Sequence, residues 1–127
     1  MPTLLWLQTG ACSGDSMSLL NLESPDLLET LVAYDIKLLW HPSLSLESPL
    51  ELEKIINQIK AGKQELTILC VEGAMLRGPN GTGMYDSFFS HTENRRLPKT
   101  QVVKELCQVA KFVLAMGTCA CYGGIAA

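Results

Sequence analysis

The sequence predicts an α/β fold, a doubly wound parallel sheet of about four strands, and three observations point to it. Four short apolar runs punctuate the chain: Leu4–Leu7, Ile36–Trp40, Leu66–Val71 and Phe112–Met116. Three of them are almost continuously apolar, as strands buried on both faces are. Helical patterns lie between them, and such alternation closes into a parallel sheet through right-handed crossovers. The 127 residues amount to a single domain, residues 1–127.

The elements follow in order. After the first strand, Ser24 can cap a helix with Pro25 next, burying Leu27, Leu28, Leu31 and Val32. The second strand contains Lys37 and is the one expected to be partly exposed. The clearest helix starts at Ser48, with Pro49 in its first turn and Glu51 completing a capping box. Leu52, Ile55, Ile56 and Ile59 form its apolar stripe, and Gly62 is a stop. The third strand runs into a glycine-rich stretch from Val71 to Lys99 that reads as one long loop, and long loops in compact domains are usually functional. A helix after Thr100 places Val102, Val103, Leu106 and Cys107 on one face. After the fourth strand, Gly117 to Ala127 shows no regular pattern. A doubly wound sheet normally continues with another helix and strand there, so the domain reads as incomplete.

Composition narrows the function. Apolar residues make up 47% and charged residues 18%, the opposite balance from a disordered tail. The net charge of −3 disfavours nucleic-acid binding, which needs a basic face. No apolar run is long enough to cross a bilayer. The N-terminus has no basic export signal and no twin arginine, which implies a cytoplasmic setting. The five cysteines, Cys12, Cys70, Cys107, Cys119 and Cys121, are then free thiols rather than a disulfide framework.

Sites in open parallel sheets lie beyond the carboxyl ends of the strands. If the strand order is the flavodoxin-like 2-1-3-4, the first, third and fourth strands are adjacent, about 4.8 Å apart. The loops that follow them, Gln8–Ser16, Glu72–Gly73 and Gly117–Gly124, then reach one bound group. Two of these loops carry cysteine. Cys12-Ser13-Gly14-Asp15 has the spacing of a C-x-x-C ligand pair with aspartate in second place, and Gly14 lets the backbone approach a cluster closely. An ordinary strand-to-helix turn around one buried cysteine has the same spacing. A phosphate or flavin turn would share the hydroxyls and small residues, but no Walker or G-x-G-x-x-G pattern is present and Asp15 would repel phosphate. For a serine or cysteine nucleophile only His41 and His91 could serve as base. His41 reads as a hydrogen-bonded structural histidine and His91 as a solvated one.

These residues resemble the small subunit of nickel–iron hydrogenases. The likeness runs through Leu5-Trp6-Leu7-Gln8-Thr9-Gly10-Ala11-Cys12-Ser13-Gly14-Asp15-Ser16, Trp40-His41-Pro42-Ser43, Val71-Glu72-Gly73-Ala74 and Gly117-Thr118-Cys119-Ala120-Cys121-Tyr122-Gly123-Gly124-Ile125. The missing export signal and the Ser-Gly-Asp variant resemble the cytoplasmic uptake and hydrogen-sensing branches.

The resemblance implies a flavodoxin-like domain that holds a proximal [4Fe–4S] cluster. It implies electron transfer from the hydrogen-oxidising centre of a large partner subunit to an unidentified acceptor, with membrane contact only through partners. Cys12 and Cys119 match cluster cysteines, and Asp15 stands where most members have another. Gly14 and Gly117 flank these positions. Glu72 matches an acidic residue at the subunit junction, with a role in proton movement or hydrogen bonding. Cys121 falls at a non-ligand position and reads as accessory. The family's fourth cluster cysteine lies further along than this sequence extends, which implies a fragment with an exposed apolar edge and no hydrogenase activity alone. Two other readings remain: a hydrogen-sensing small subunit, and a cofactor-free truncated interaction domain. The related quinone-reducing respiratory subunit carries a tandem cysteine pair that this first loop lacks.

Overall fold

The four apolar runs form one parallel sheet in the computed structural model, which describes residues 1–12, 14–45 and 48–123. Ser13, Gly124 and Ile125 of the motifs above lie outside those residues. The strands are β1 (Thr3–Gln8), β2 (Lys37–Trp40) and β3 (Ile68–Glu72), followed after an intervening hairpin by β6 (Phe112–Met116). Their order is β2-β1-β3-β6, which is the expected 2-1-3-4. In register, Gln8 pairs with Glu72 and Glu72 with Met116. The carboxyl ends of three neighbouring strands therefore finish abreast, and the loops leaving them start side by side.

Residue alternation along the strands sorts the two faces. Leu5, Leu7, Leu69 and Val71 join Ile56 and Ile59 of α3 (Pro49–Lys60) and Val102, Val103 and Leu106 of α4 (Lys99–Val109) in one buried cluster. Cys107 packs at its margin, as expected of a core residue. Burial pushes the Cys70 thiol up to about 11, so it is inert at neutral pH. The opposite face carries Trp6, Gln8, Cys70 and Glu72, towards the side of α1 (Gly14–Leu20) that buries Ser16.

The structure corrects several local expectations. Two helices, α1 and α2 (Leu27–Ala33), connect β1 to β2, where the sequence suggested one. Asp26, not Ser24, caps α2: its carboxylate accepts the Glu29 N–H at 2.7 Å, and the Glu29 side chain accepts the Asp26 N–H. A seven-residue helix buries one stripe, so Leu31 is inside while Leu28 and Val32 are exposed. Ser48 is the N-cap residue of α3, but no side-chain cap bond forms; Glu51 pairs with Lys54 instead. The helix expected after Thr100 begins at Lys99. Lys37 is exposed as expected, yet β6 is the barest strand, with Phe112 63% and Leu114 46% exposed. This is the apolar edge the resemblance implied, and residue type along a strand carries no signal of which edge goes uncovered.

The stretch from Val71 to Lys99 is not one loop. It contains an antiparallel hairpin, β4 (Ser87–Ser90) and β5 (Arg95–Pro98). Its turn ends at Asn94 with φ of 52°, the left-handed conformation that asparagine tolerates. Glu53 of α3, only 3% exposed, anchors this hairpin. Its carboxylate accepts Ser90 Oγ–H at 2.7 Å, His91 N–H at 2.8 Å and Thr92 N–H at 3.0 Å. Burial alone would raise the Glu53 pKa, but these bonds outweigh it and hold the value at about 2, against an ordinary 4.5. A depressed carboxylate stabilises the fold above its unfolded pKa and loses that contribution as pH falls. Glu53→Ala is therefore expected to cost about 3 kcal/mol at pH 7 and much less near pH 2, read from urea midpoints at both pH values.

Candidate functional site

Three loops meet beyond the carboxyl end of the sheet. The loop after β1 pairs with the loop after β3: Gly10 N–H donates to the Ala74 carbonyl at 2.9 Å, and Ala74 N–H returns to the Gly10 carbonyl at 3.2 Å. The loop after β1 also touches the segment after β6. The Asp15 carboxylate rests against Gly117, in the space that a side chain there would fill. Gly117 has φ of 85°, so it must be glycine for conformation as well as for room. It opens α5 (Gly117–Tyr122), a helix where the sequence showed no pattern, because six residues are too few for a legible stripe.

The expected donors are placed as follows. Cys12 is exposed, with its Sγ 3.3 Å from where a Cβ on Gly14 would stand. Asp15 lies in the first turn of α1, where a negative charge suits the helix dipole. Cys119 is half-buried in α5, two residues beyond the Asp15 contact. Cys121 is exposed and directs its thiol to the Ala115 carbonyl at 3.6 Å. The loops are thus brought together through Asp15 and Gly117. Among the described residues, no three His, Cys, Asp or Glu side chains gather closely enough to hold a metal ion. In chemistry, two thiols and a carboxylate are donors that iron–sulfur sites accept, with thiolate preferred.

Gly117→Ala should show what the Asp15 contact is worth. Gly81, with φ of 76° and nothing within 4 Å of where a Cβ would stand, is the strain-only control. Gly81→Ala is expected to cost about 1 kcal/mol. Gly117→Ala should cost at least about 1 kcal/mol more, and Asp15→Ala in the same chain should recover most of the excess, as a thermal-melt double-mutant cycle would show.

Behind this surface lies a buried polar network that the sequence reading assembled only in part. Glu72 is 1% exposed, and its carboxylate accepts four hydrogen bonds. Trp6 Nε1–H donates at 3.2 Å, Gln8 Nε2–H at 3.3 Å and Ser16 N–H at 3.4 Å, and the Ser16 hydroxyl donates as well. Burial pushes the Glu72 carboxyl up, but the bonds from Ser16, Gln8 and Trp6 outweigh it, so its pKa lies below the ordinary range. His41, also 1% exposed, places Nε2 3.4 Å from Ser16 Oγ and its ring 5.0 Å from that of Trp6. Burial lowers the His41 pKa, and attraction to Glu72 offsets only part of this, so the ring is neutral. His41 is thus the bonded structural histidine expected, and His91 is exposed, as expected.

Ser16 and Trp6 were not singled out by sequence. The available signal was that Trp6, Gln8, Cys70 and Glu72 share one face of adjacent strands, with two polar side chains at its carboxyl end. Next to the site, the loop after β3 and α5 enclose an open cleft of about 660 Å³ lined by Met75, Leu76, Arg77, Tyr85 and Tyr122. No helix among the described residues is long and apolar enough to cross a membrane.

Comparison with known proteins names a respiratory oxidoreductase subunit family and, among individual relatives, hydrogenase small subunits. A family model described as NADH ubiquinone oxidoreductase, 20 Kd subunit, matches residues 12–127. The F420 non-reducing hydrogenase II small subunit of Methanosarcina mazei is 31% identical over 132 residues, covering 96% of this chain and 33% of the relative. The periplasmic [NiFe] hydrogenase small subunit 1 of Nitratidesulfovibrio vulgaris is 29% identical, covering 99% of this chain and 37% of the relative. The chain therefore spans about a third of the length of these relatives. Among solved structures, the reduced, active Ni-Fe-Se hydrogenase of Desulfomicrobium baculatum superposes with a TM-score of 0.84 at 27% identity, covering 98% of this chain and 45% of that one.

Proposed function

This chain belongs to the nickel–iron hydrogenase small-subunit family, and from that premise we propose that it carries electrons from a hydrogen-oxidising nickel–iron site in a large partner subunit, through a proximal [4Fe–4S] cluster. The observation that supports this most is the junction where Asp15 rests on Gly117, two residues before Cys119. Cys12, Asp15 and Cys119 would hold the cluster, and one further donor has to come from elsewhere, because a cubane takes four ligands. When bound, such a cluster supplies a one-electron site whose potential is tuned by charge and by hydrogen bonds to its sulfurs. This chain's part is to hold the donor turns. The Gly10–Ala74 pairing fixes the first loop, and Glu72 fixes the start of α1 by accepting the Ser16 N–H. Glu72 also places negative charge beneath the site, where of the two roles its family position implies, proton movement or hydrogen bonding, its four donors favour hydrogen bonding.

Exposed Phe112, Val113 and Leu114 on the β6 edge and the cleft beside α5 offer a partner apolar surface. A cytoplasmic setting belongs to the proposal and draws support from the five unpaired cysteines.

The test is dye reduction by hydrogen with the chain co-purified on a hydrogenase large subunit. Turnover should appear in the complex, be absent from the isolated chain, and fall steeply in Cys12→Ser. Full turnover in Cys12→Ser would overturn the electron-carrying role. A stable complex with only trace turnover would favour the hydrogen-sensing role over uptake.

A further inference from the structure

The hydrogen-bond chain behind the site has a direction, and it starts at His41. Ser43 N–H donates to His41 Nδ1 at 3.0 Å. That nitrogen is therefore an acceptor, and the proton of the neutral ring sits on Nε2. Nε2–H then donates to Ser16 Oγ, and the Ser16 hydroxyl, its own proton free, donates to Glu72. An ionised carboxylate only accepts, so the chain runs one way, from His41 to Ser16 to Glu72. It cannot pass a proton beyond His41, because the far nitrogen faces a backbone N–H, a donor that does not ionise and whose nitrogen does not accept a proton. All three side chains are at most 1% exposed, which makes each unmade bond expensive.

We propose that His41 is a positioning residue for the electron-transfer site: acting through Ser16, it holds Glu72 in place and thereby fixes the turn that carries Cys12 and Asp15. The inference rests on the function proposed above for that turn, but its test needs no bound iron. Ser16 directly follows Asp15 and gives Glu72 both its hydroxyl and its backbone N–H. Loss of the His41 donor leaves Ser16 Oγ held by Glu72 alone, and the start of α1 loosens with it. The turn His41–Ser45 supports the donor in turn: His41 N–H donates to Ser45 Oγ at 2.9 Å, and Ser45 N–H to the His41 carbonyl at 2.9 Å. The loop after β2 is thereby coupled to the loop after β1.

Two amide substitutions divide the functions of the ring. His41→Asn keeps an acceptor near Nδ1 for Ser43 and removes the donor that reaches Ser16. His41→Gln keeps a donor near Nε2. The reporter is the Trp6 indole N–H, which donates to Glu72, followed by hydrogen exchange in the full chain, with exchange of the backbone N–H of residue 16, which also donates to Glu72, as a second readout. Cys70, buried in the sheet, monitors global unfolding. In His41→Asn and in Ser16→Ala, exchange of the indole and of the residue 16 backbone N–H should rise by about tenfold or more, with Cys70 still protected from alkylation. His41→Gln should stay near wild type. Wild-type exchange in His41→Asn or in Ser16→Ala would overturn the proposal, as would exposure of Cys70 in His41→Asn, which would make His41 a general folding residue. Equal loosening in His41→Gln and His41→Asn would overturn it too. A chain that never binds iron would sink the proposed function and leave this result standing.

Discussion

Glu72→Ala is expected to be the most damaging single substitution in the molecule, costing about 3–5 kcal/mol of folding stability. The reason is the number of donors it would strand. Trp6 Nε1–H, Gln8 Nε2–H, Ser16 N–H and the Ser16 hydroxyl all point at one buried carboxylate. A domain of this size has about 5–15 kcal/mol in total, so the loss is a large fraction of the whole. The effect has a pH signature. The folded pKa of Glu72 lies below the ordinary 4.5, so its contribution is complete above that value and declines as pH falls below it. His41 adds a second acid-sensitive component. Its folded pKa lies below 6.5, so protonation favours the unfolded chain and stability begins to fall below that pH. Urea midpoints of the wild type should therefore decline in two stages on acidification, and in Glu72→Ala the lower stage should shrink. An unchanged midpoint for Glu72→Ala at pH 7 would show that the network carries no net stability.

The second large effect concerns Asp15. Thiolate is the softer ligand and the one iron–sulfur sites prefer. Asp15→Cys is therefore expected to retain cluster iron longer against a chelator than the wild type, and to shift the reduction potential. Asp15→Ala should lose one iron ligand and fall from about four irons per chain towards about three or fewer. Iron and sulfide analysis after anaerobic reconstitution in the complex, with potentiometry, reads both. If content and potential are the same in wild type, Asp15→Cys and Asp15→Ala, Asp15 does not ligate. Its role is then the contact with Gly117 and the favourable charge at the start of α1.

The parts of the fold legible in sequence are those with a local cause. The runs Leu4–Leu7, Leu66–Val71 and Phe112–Met116 are apolar because they lie in a two-sided sheet, and the stripe through Ile56 and Ile59 is periodic because one helix face is buried. The β4–β5 hairpin was hidden by its short, charged second strand, Arg95-Arg96-Leu97-Pro98, although the left-handed Asn94 marked its turn. Of the candidate donors, Cys12 and Asp15 stood out by their spacing in a loop beyond a strand end, and Cys119 was named as one through the family resemblance. The network behind them was not legible, because it depends on how α1 and the turn after β2 sit on the sheet. Nothing near Ser16 in sequence says that it meets Glu72 and His41, which are 56 and 25 residues away. Glu72 was identified through the family resemblance, whereas its four donors became visible only in three dimensions.

The central claim is that the turns after β1 and β6 grip the same electron carrier. Crystals of the chain assembled with its large subunit, measured at the iron absorption edge, test it directly. The account predicts anomalous iron density bonded to Cys12 Sγ and to Cys119 Sγ within a single cluster. Iron bound to only one of the two, or both thiols free in a complex that transfers electrons, would contradict it.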